Sequence, residues 1–123
     1  MRECGMLLPV ASLPSRYGIG AFSKEAYDFI DTLKAAGQSC WQILPLGPTG
    51  FGDSPYQSFS AFAGNPYFID LEKLTEEGLL TREECLDTDF GSDERDIDYK
   101  KIYDGRFPLL RKAYERWKEG RTP

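Results

Sequence analysis

"SKEAYDFIDTLKAAGQSCWQILPL", residues 23–46, decides the fold, because it joins a segment of helical period to a short apolar run. Ser23 suits a helix N-cap, and Phe22 and Tyr27 hold the two positions of a hydrophobic staple. Ala26, Phe29, Ile30, Leu33 and Ala36 recur at the spacing of one helix face, and Gly37 supplies a left-handed stop. The pattern predicts an amphipathic helix over 23–36. After a short connection, "WQILPL", 41–46, has the length, apolar content and terminal Pro-Gly punctuation of a buried strand.

Upstream, "GMLLPV", 5–10, is a second short apolar run; it ends around Pro9 and reads as a strand leading into the loop "ASLPSRYGIGAF". Strand, helix and strand in this order predict a βαβ unit and a parallel sheet. The segment after the second strand then leaves the carboxyl end of a parallel strand, where α/β barrels and open α/β sheets bind ligands.

That segment is "GPTGFGDSPYQSFSAFAGNP", 47–66, with four aromatic rings among glycines, prolines and hydroxyls. Loops run over the surface, and exposed rings are costly unless something covers them. Asp53, Ser54, Tyr56, Gln57 and Ser58 offer hydrogen-bond donors and acceptors, and Phe51 and Tyr56 offer ring faces. Sugars need this mixture, because hydroxyls take directional hydrogen bonds while the C–H faces stack on aromatics. The same residues also suit a turn-rich connection in which Asp53 caps backbone amides and Tyr56 plugs a gap. In "SLPSRYGIG" the Gly and Pro residues predict a rigid connection into the helix, and "GIG" lacks the third glycine of a dinucleotide fingerprint.

Further along, "YFIDL", 67–71, reads as a short extended piece, with Asp70 or Thr75 starting a brief helix that ends at Gly78. "TREE", 81–84, fits a capping box and predicts a second short helix. "DTDFGSDERDID", 87–98, lacks periodicity and is read as a solvated acidic loop, its spacing not matching a calcium loop. From Asp98 a long helical pattern carries Tyr99, Ile102, Tyr103, Leu110, Ala113, Tyr114 and Trp117 on one stripe. That stripe reads as core, with Tyr103 near the helix start as an exception. Pro108 inside it predicts a kink or two helices meeting near Phe107.

Composition bounds the function. At 123 residues the chain has the length of one ordinary domain, and 41% hydrophobic with 28% charged residues is the balance of a folded soluble protein. No apolar run approaches the roughly 20 residues of a membrane span, and the opening lacks a signal-peptide core, so the expected location is cytoplasmic. A net charge of −5 argues against nucleic-acid binding. Cys4, Cys40 and Cys85 form no CxxC pair and read as free thiols; with no histidine in the chain, neither a zinc set nor a Ser/His or Cys/His pair can form. Glycosidic chemistry needs two carboxylates at a defined separation, and Asp53 is the only carboxylate in the ring-rich loop.

With these residues laid out, the chain resembles the amino-terminal part of the 4-alpha-glucanotransferases, the amylomaltase or disproportionating-enzyme family (glycoside hydrolase family 77). The resemblance covers essentially the whole chain. It rests on "WQILPLGPTGFGDSPYQSFSAFAGNPYFIDL" (41–71), "SLPSRYGIG" (12–20) and "EAYDFID" (25–31), with weaker support from "IDYKKIY" (97–103).

The resemblance implies an α/β fold, the N-terminal portion of a (β/α)8 TIM barrel that is incomplete as given, since such a barrel takes about 250 residues. Residues 1–123 would be the first segment of the catalytic barrel, with part of an inserted subdomain around 67–123. The implied reaction moves an α-1,4-glucan segment to the 4-hydroxyl of an acceptor with retention, without cofactor or metal. The family's Asp nucleophile, Glu acid/base and stabilising Asp lie downstream of the matched part, so no catalytic residue falls in this chain and it is expected to be inactive alone. Ser54 and Tyr56 match positions lining donor-sugar subsites, with Asp53, Gln57 and Asn65 as supporting members. Phe51 and Tyr103 match a second glucan-binding groove, where the family often has Tyr at the first position. Phe59 and Phe62 are expected to anchor the loop to the core. Many members read "HPTSLP" where this chain has "PVASLP", so no contact from that histidine carries over. The implied partners are maltooligosaccharides and other α-1,4-glucans, with no nucleic acid or membrane and no implied oligomeric state. A reading from another class is a stand-alone, non-catalytic α-glucan-binding module.

Overall fold

A computed structural model describes residues 2–120. Length alone predicts a single domain, but the chain divides into two compact units, one formed by residues 2–14 and 19–69 and the other by 15–18 and 70–120.

In the first unit, β1 (Gly5–Leu7) and β2 (Cys40–Gln42) pair in parallel with Gly5 opposite Cys40, Met6 opposite Trp41 and Leu7 opposite Gln42. The helix α1 (Lys24–Ala35) connects them, which completes the predicted βαβ order. Both strands are shorter than predicted. Pro9 comes two residues after β1 and the chain turns at once into a 3-10 turn at Val10–Ser12, so among the described residues Ile43–Leu46 have no partner strand to continue the ladder. The strands are also exposed rather than buried, Met6 at 50% and Leu7 at 57%. A parallel sheet is buried only where layers cover its faces, and among the described residues this sheet has two strands.

The first unit's core lies between α1 and the loops around the sheet. Val10, Leu13 and Ala26 are buried, and Phe29, Trp41, Ile43 and Phe68 pack on them. Phe29 meets Trp41 edge-on with ring centroids 5.0 Å apart, and the Trp41 indole N–H donates to the Leu8 carbonyl at 2.9 Å. Burying a ring whose one polar atom is satisfied adds apolar area without a desolvation penalty. Ser23 occupies the N-cap, but its hydroxyl donates back to the Ala21 carbonyl instead of capping the helix. Phe22 packs edge-on against Phe68, with its amide on the Phe68 carbonyl at 3.0 Å, while Tyr27 is 65% exposed, so the long-range contact displaces the staple. Gly37 takes the left-handed φ of 75° that ends α1.

In the second unit α2 (Leu71–Glu76) starts at Asp70, whose side chain accepts from the Glu72 amide, and the chain leaves it through Gly78. The predicted capping box opens α3 (Arg82–Leu86): the Thr81 hydroxyl accepts from the Glu84 amide, and the Glu84 carboxylate accepts from the Thr81 amide. The helix α4 runs without a break from Tyr99 to Gly120 through Pro108. Its buried face is Ile102, Arg106, Leu109 and Ala113, so the aromatic stripe sits one position round the helix from the core. Tyr103, Tyr114 and Trp117 are 59%, 59% and 41% exposed.

Four residues of the early loop belong to this second unit. Tyr17 is 3% exposed, and its hydroxyl donates to Glu72 Oε1 at 2.6 Å while its ring meets Phe90 edge-on. Burial and the Glu72 carboxylate push the Tyr17 phenol well above its ordinary range. Gly18 follows at φ 79° with the Phe90 backbone against it, a place where a side chain has neither the dihedral nor the room.

Candidate functional site

The segment from Gly47 to Pro66 follows β2 after the intervening Ile43–Leu46 and is built from its own turns. Thr49 and Ser58 form an isolated antiparallel bridge that closes the excursion at its base. Within it the Asp53 amide donates to the Gly50 carbonyl at 3.1 Å, and the Gln57 amide donates to the Ser54 carbonyl at 3.1 Å. Gly52 at φ 89° and Asp53 at φ 54° turn the tip, Asp53 being the one described non-glycine residue with a left-handed φ. The Thr49 hydroxyl donates to Asp53 Oδ1 at 3.0 Å across that turn. Asp tolerates this conformation better than most residues, because its short side chain bonds locally.

The return limb is equally self-contained. The Ser58 hydroxyl donates to the Ser60 carbonyl, and the Ser60 hydroxyl accepts from the amides of Phe62 and Ala63. Asn65 closes the loop from inside: it is 8% exposed, its amide donates to the Leu46 carbonyl at 2.7 Å, and its side-chain oxygen accepts from the Tyr67 amide at 2.9 Å. It caps the 3-10 turn Pro66–Phe68, which replaces the extended piece read from "YFIDL", because Asn65 followed by proline favours a cap and first turn.

The sequence-predicted residues therefore take distinct places. Ser54, Tyr56 and Gln57 stand together on the tip, Tyr56 at 73% exposure, and the Ser54 hydroxyl accepts from the Tyr56 amide at 3.3 Å. Asp53 and Ser54 are both half-buried in the turn, and Gln57 is exposed like Tyr56. Asn65 is buried at the loop's base and is spent on the backbone. Phe51 stands fully out at 104% exposure in the first unit, and Tyr103 lies on the exposed face of α4 in the second, against Phe107 at 4.9 Å. The expected anchoring by Phe59 and Phe62 does not occur: they are 78% and 100% exposed. The anchors are Pro48 and Asn65, both buried, while the serine turns hold the two phenylalanines outward. Thr49 belongs to this group through its bond to Asp53, although its type does not single it out in the sequence; its signal there is the four-residue spacing to Asp53 across two glycines.

Among the described residues no group of three or more His, Cys, Asp and Glu assembles a metal site, and no helix is long and apolar enough to cross a membrane. The strongest electrostatic cluster lies in the second unit. Arg116 grips Glu84 with two bonds of 2.8 Å, and Lys112 adds a third at 3.1 Å. These cations and the Thr81 amide hold the Glu84 carboxyl far below its ordinary value. A carboxylate so fully committed ties α3 to α4 and is in no position to act as an acid or base.

Residues 8–123 match the family model of the 4-alpha-glucanotransferases, glycoside hydrolase family 77. The chain belongs to this family. It is 57% identical over 118 residues to the 4-alpha-glucanotransferase of Streptococcus pneumoniae, covering 96% of this chain and 23% of that protein. To the Thermus thermophilus 4-alpha-glucanotransferase it is 50% identical over 122 residues, covering 99% of this chain and 23% of the relative. Among solved structures, the amylomaltase from Streptococcus agalactiae in complex with acarbose superposes with a TM-score of 0.93 at 45% identity, covering 97% of this chain and 24% of that one. The chain thus spans about a quarter of the length of the 4-alpha-glucanotransferases it matches.

Proposed function

We propose that this chain serves a 4-alpha-glucanotransferase as the opening segment of its (β/α)8 barrel, with residues around 67–123 beginning an inserted subdomain. The βαβ unit of β1, α1 and β2 supplies the first strands, and the 47–66 excursion at the carboxyl end of β2 forms one wall of the donor-glucan cleft. The observation that carries this is the tip itself: Tyr56 and Gln57 stand exposed beside a half-buried Ser54, on a frame that holds its shape through its own hydrogen bonds.

The chemistry follows from the groups present. The Ser54 hydroxyl and Gln57 amide bond to glucose hydroxyls, and the Tyr56 ring covers a sugar C–H face. Phe51 and Tyr103 each offer a further exposed ring to glucan. The transfer, with retention through a glycosyl-enzyme intermediate, requires paired carboxylates. None is assigned here, since Asp53 supports the turn and Glu84 is held by its cations. The segment binds and orients donor, other sequence cuts it, and the proposed cellular site is the cytoplasm.

The test places residues 1–120 in the matched position of the Streptococcus agalactiae amylomaltase and follows maltotriose disproportionation. The chimera should build a ladder of longer glucans, and Tyr56→Ala should raise KM about tenfold, the scale of one stacked ring with its hydroxyl. A chimera that only releases glucose, or a Tyr56→Ala variant with unchanged KM and kcat, would overturn the reading. Maltoheptaose binding by the 123-residue chain alone, lost in Tyr56→Ala, would favour a stand-alone glucan-binding module.

A further inference from the structure

Ser54 and Tyr56 at the tip owe their placement to two half-buried residues, Thr49 and Asp53. Between Thr49 and Ser58 the backbone reverses in a few residues, and the reversal depends on Asp53 holding φ 54°. A left-handed residue with a side chain is disfavoured by roughly 1–2 kcal/mol unless something local compensates. The compensation is visible: the Asp53 amide bonds the Gly50 carbonyl, and Oδ1 takes the Thr49 hydroxyl at 3.0 Å. Thr49 is itself fixed by the bridge to Ser58, and Gly47 lets the Ser58 side chain approach the backbone too closely for any Cβ. The clasp therefore runs from the base of the excursion to its tip, and Ser54 follows Asp53 directly.

From this we infer that Thr49 and Asp53 are positioning residues for donor-glucan binding: their hydrogen bond locks the turn that presents Ser54 and Tyr56, and the Asp53 carboxylate acts on the loop rather than on the sugar. The inference rests on the proposed role of the tip in binding glucan and deepens it. Asp53 enters the site through shape, because its Oδ1 is already occupied and its backbone, not its reach, directs the next three residues. Preorganising a binding loop lowers the cost of ordering it when the ligand arrives, so loss of the clasp weakens binding while leaving the chemical step, carried by other residues, largely intact.

The experiment uses the same chimera, with KM and kcat for maltotriose and the melting temperature measured for each variant. Thr49→Val, which keeps the shape and removes the donor, should raise KM about fivefold, the worth of one hydrogen bond, with kcat within twofold. Thr49→Ser should restore KM. Asp53→Ala, losing both the acceptor and the tolerance for φ 54°, should be the worst, and Asp53→Asn, keeping an acceptor oxygen, should be at least fivefold milder than Asp53→Ala. In a double-mutant cycle built on Thr49→Val and Asp53→Gly, glycine keeping φ 54° while losing the acceptor, the double variant should raise KM no more than the worse of these two singles, since both remove one bond.

Asp53→Asn as damaging as Asp53→Ala would mean the carboxylate meets sugar directly, and additive effects in the cycle would mean there is no clasp; either overturns the inference. If Tyr56→Ala raises KM while Thr49→Val does not, the positioning role fails and the binding role of the tip stands. If neither variant moves KM, the binding role fails too. A melting temperature more than a few degrees below the parent in Thr49→Val, with KM unrescued by Thr49→Ser, would assign Thr49 to folding alone and overturn the inference as well.

Discussion

Replacing Gly18 by alanine tests how the early loop enters the second unit. At φ 79° a Cβ costs roughly 1–2 kcal/mol on backbone grounds alone. In addition the new methyl would land on the Phe90 carbonyl oxygen, 2.7 Å from Ile102 Cδ1 and 2.8 Å from Phe90 Cβ. The carbonyl cannot turn aside as a side-chain end can, so an overpacking cost of about 1–3 kcal/mol adds to the first. Two glycines of the same unit separate these contributions. Gly78 has a φ of 76° with nothing near its missing side chain, so Gly78→Ala carries the dihedral cost only. Gly105, inside α4, has an ordinary φ but would place a methyl 2.7 Å from Thr88 Cγ2 and 3.0 Å from the Phe90 ring, so Gly105→Ala carries the contact, offset by about 1 kcal/mol of helix propensity. The expected order is Gly18→Ala worst at about 2–5 kcal/mol, the sum of its two costs, with the others near or below 2. For a unit of this size the loss for Gly18→Ala corresponds to a melting point lower by roughly 10 °C or more. The assay is thermal unfolding of the 123-residue chain labelled with 5-fluorotryptophan and followed by fluorine NMR, because Trp41 reports the first unit and Trp117 the second. If Gly18→Ala melts the Trp117 signal no earlier than Gly78→Ala does, the close packing of Gly18 under Phe90 is wrong.

Glu84 has a depressed pKa in the folded chain, so its charged form favours folding; that contribution is complete above its ordinary pKa of 4.5 and is lost as pH falls below it. Arg116→Gln should therefore raise the pH midpoint of acid unfolding, read by α-helical ellipticity, while Glu84→Gln should flatten the dependence between pH 5 and the acid transition. Asn65→Ala removes a cap and leaves a buried amide without its acceptor, which should cost about 1–2 kcal/mol in urea unfolding; a change under 0.3 kcal/mol would contradict its role at the loop base. Of the three thiols, Cys4 and Cys40 are exposed, whereas Cys85 is 1% exposed and burial pushes its thiol up. Ellman's reagent should therefore titrate two groups quickly and the third only on unfolding.

Local features were legible because their causes are local. The α1 periodicity, the Gly37 and Gly78 stops, Asp70 as a helix start and the Thr81–Glu84 capping box each need only residues within one or two turns, and each appears where its spacing places it. Features set by distant partners were not. The strand at 41–46 stops at Gln42 because its neighbour turns away at Pro9, which no window around 41–46 contains. Phe22 leaves its staple for Phe68, forty-six positions along the chain. On α4 the buried seam keeps Ile102 and Ala113 of the predicted stripe but leaves its rings Tyr103, Tyr114 and Trp117 outside, because hydrophobic counting passes over Arg106, 0% exposed with its guanidinium 6.0 Å from the centroid of the Phe90 ring. A charged residue that pairs with a ring counts against burial in any hydrophobic pattern, yet it buries well.

The ring-rich loop shows how these two kinds of legibility combine. Its residue types announced the turns, which the structure shows at Gly50–Asp53 and Ser54–Gln57, and offered groups that suit either a sugar or a turn-rich connection. Which rings are inside followed from neither, since Phe59 and Phe62 look like anchors until Ser58 and Ser60 are seen to hold them outward. An ordinary connection of this kind would either shorten or bury its rings, because exposed aromatic surface is costly and gives nothing back to the fold. Here the loop keeps its rings exposed and supports its own backbone through Thr49, Asp53, Ser58, Ser60 and Asn65. Under the proposed role, a frame held by its own hydrogen bonds, with polar groups and ring faces on its outer side, lowers the ordering cost of binding. That economy explains why the residues that shape the loop deserve mutation as much as those that point out of it. It also makes Thr49, whose hydroxyl is held by Asp53 and acts on the loop from within, the sharpest single probe of whether the tip works as a preformed wall.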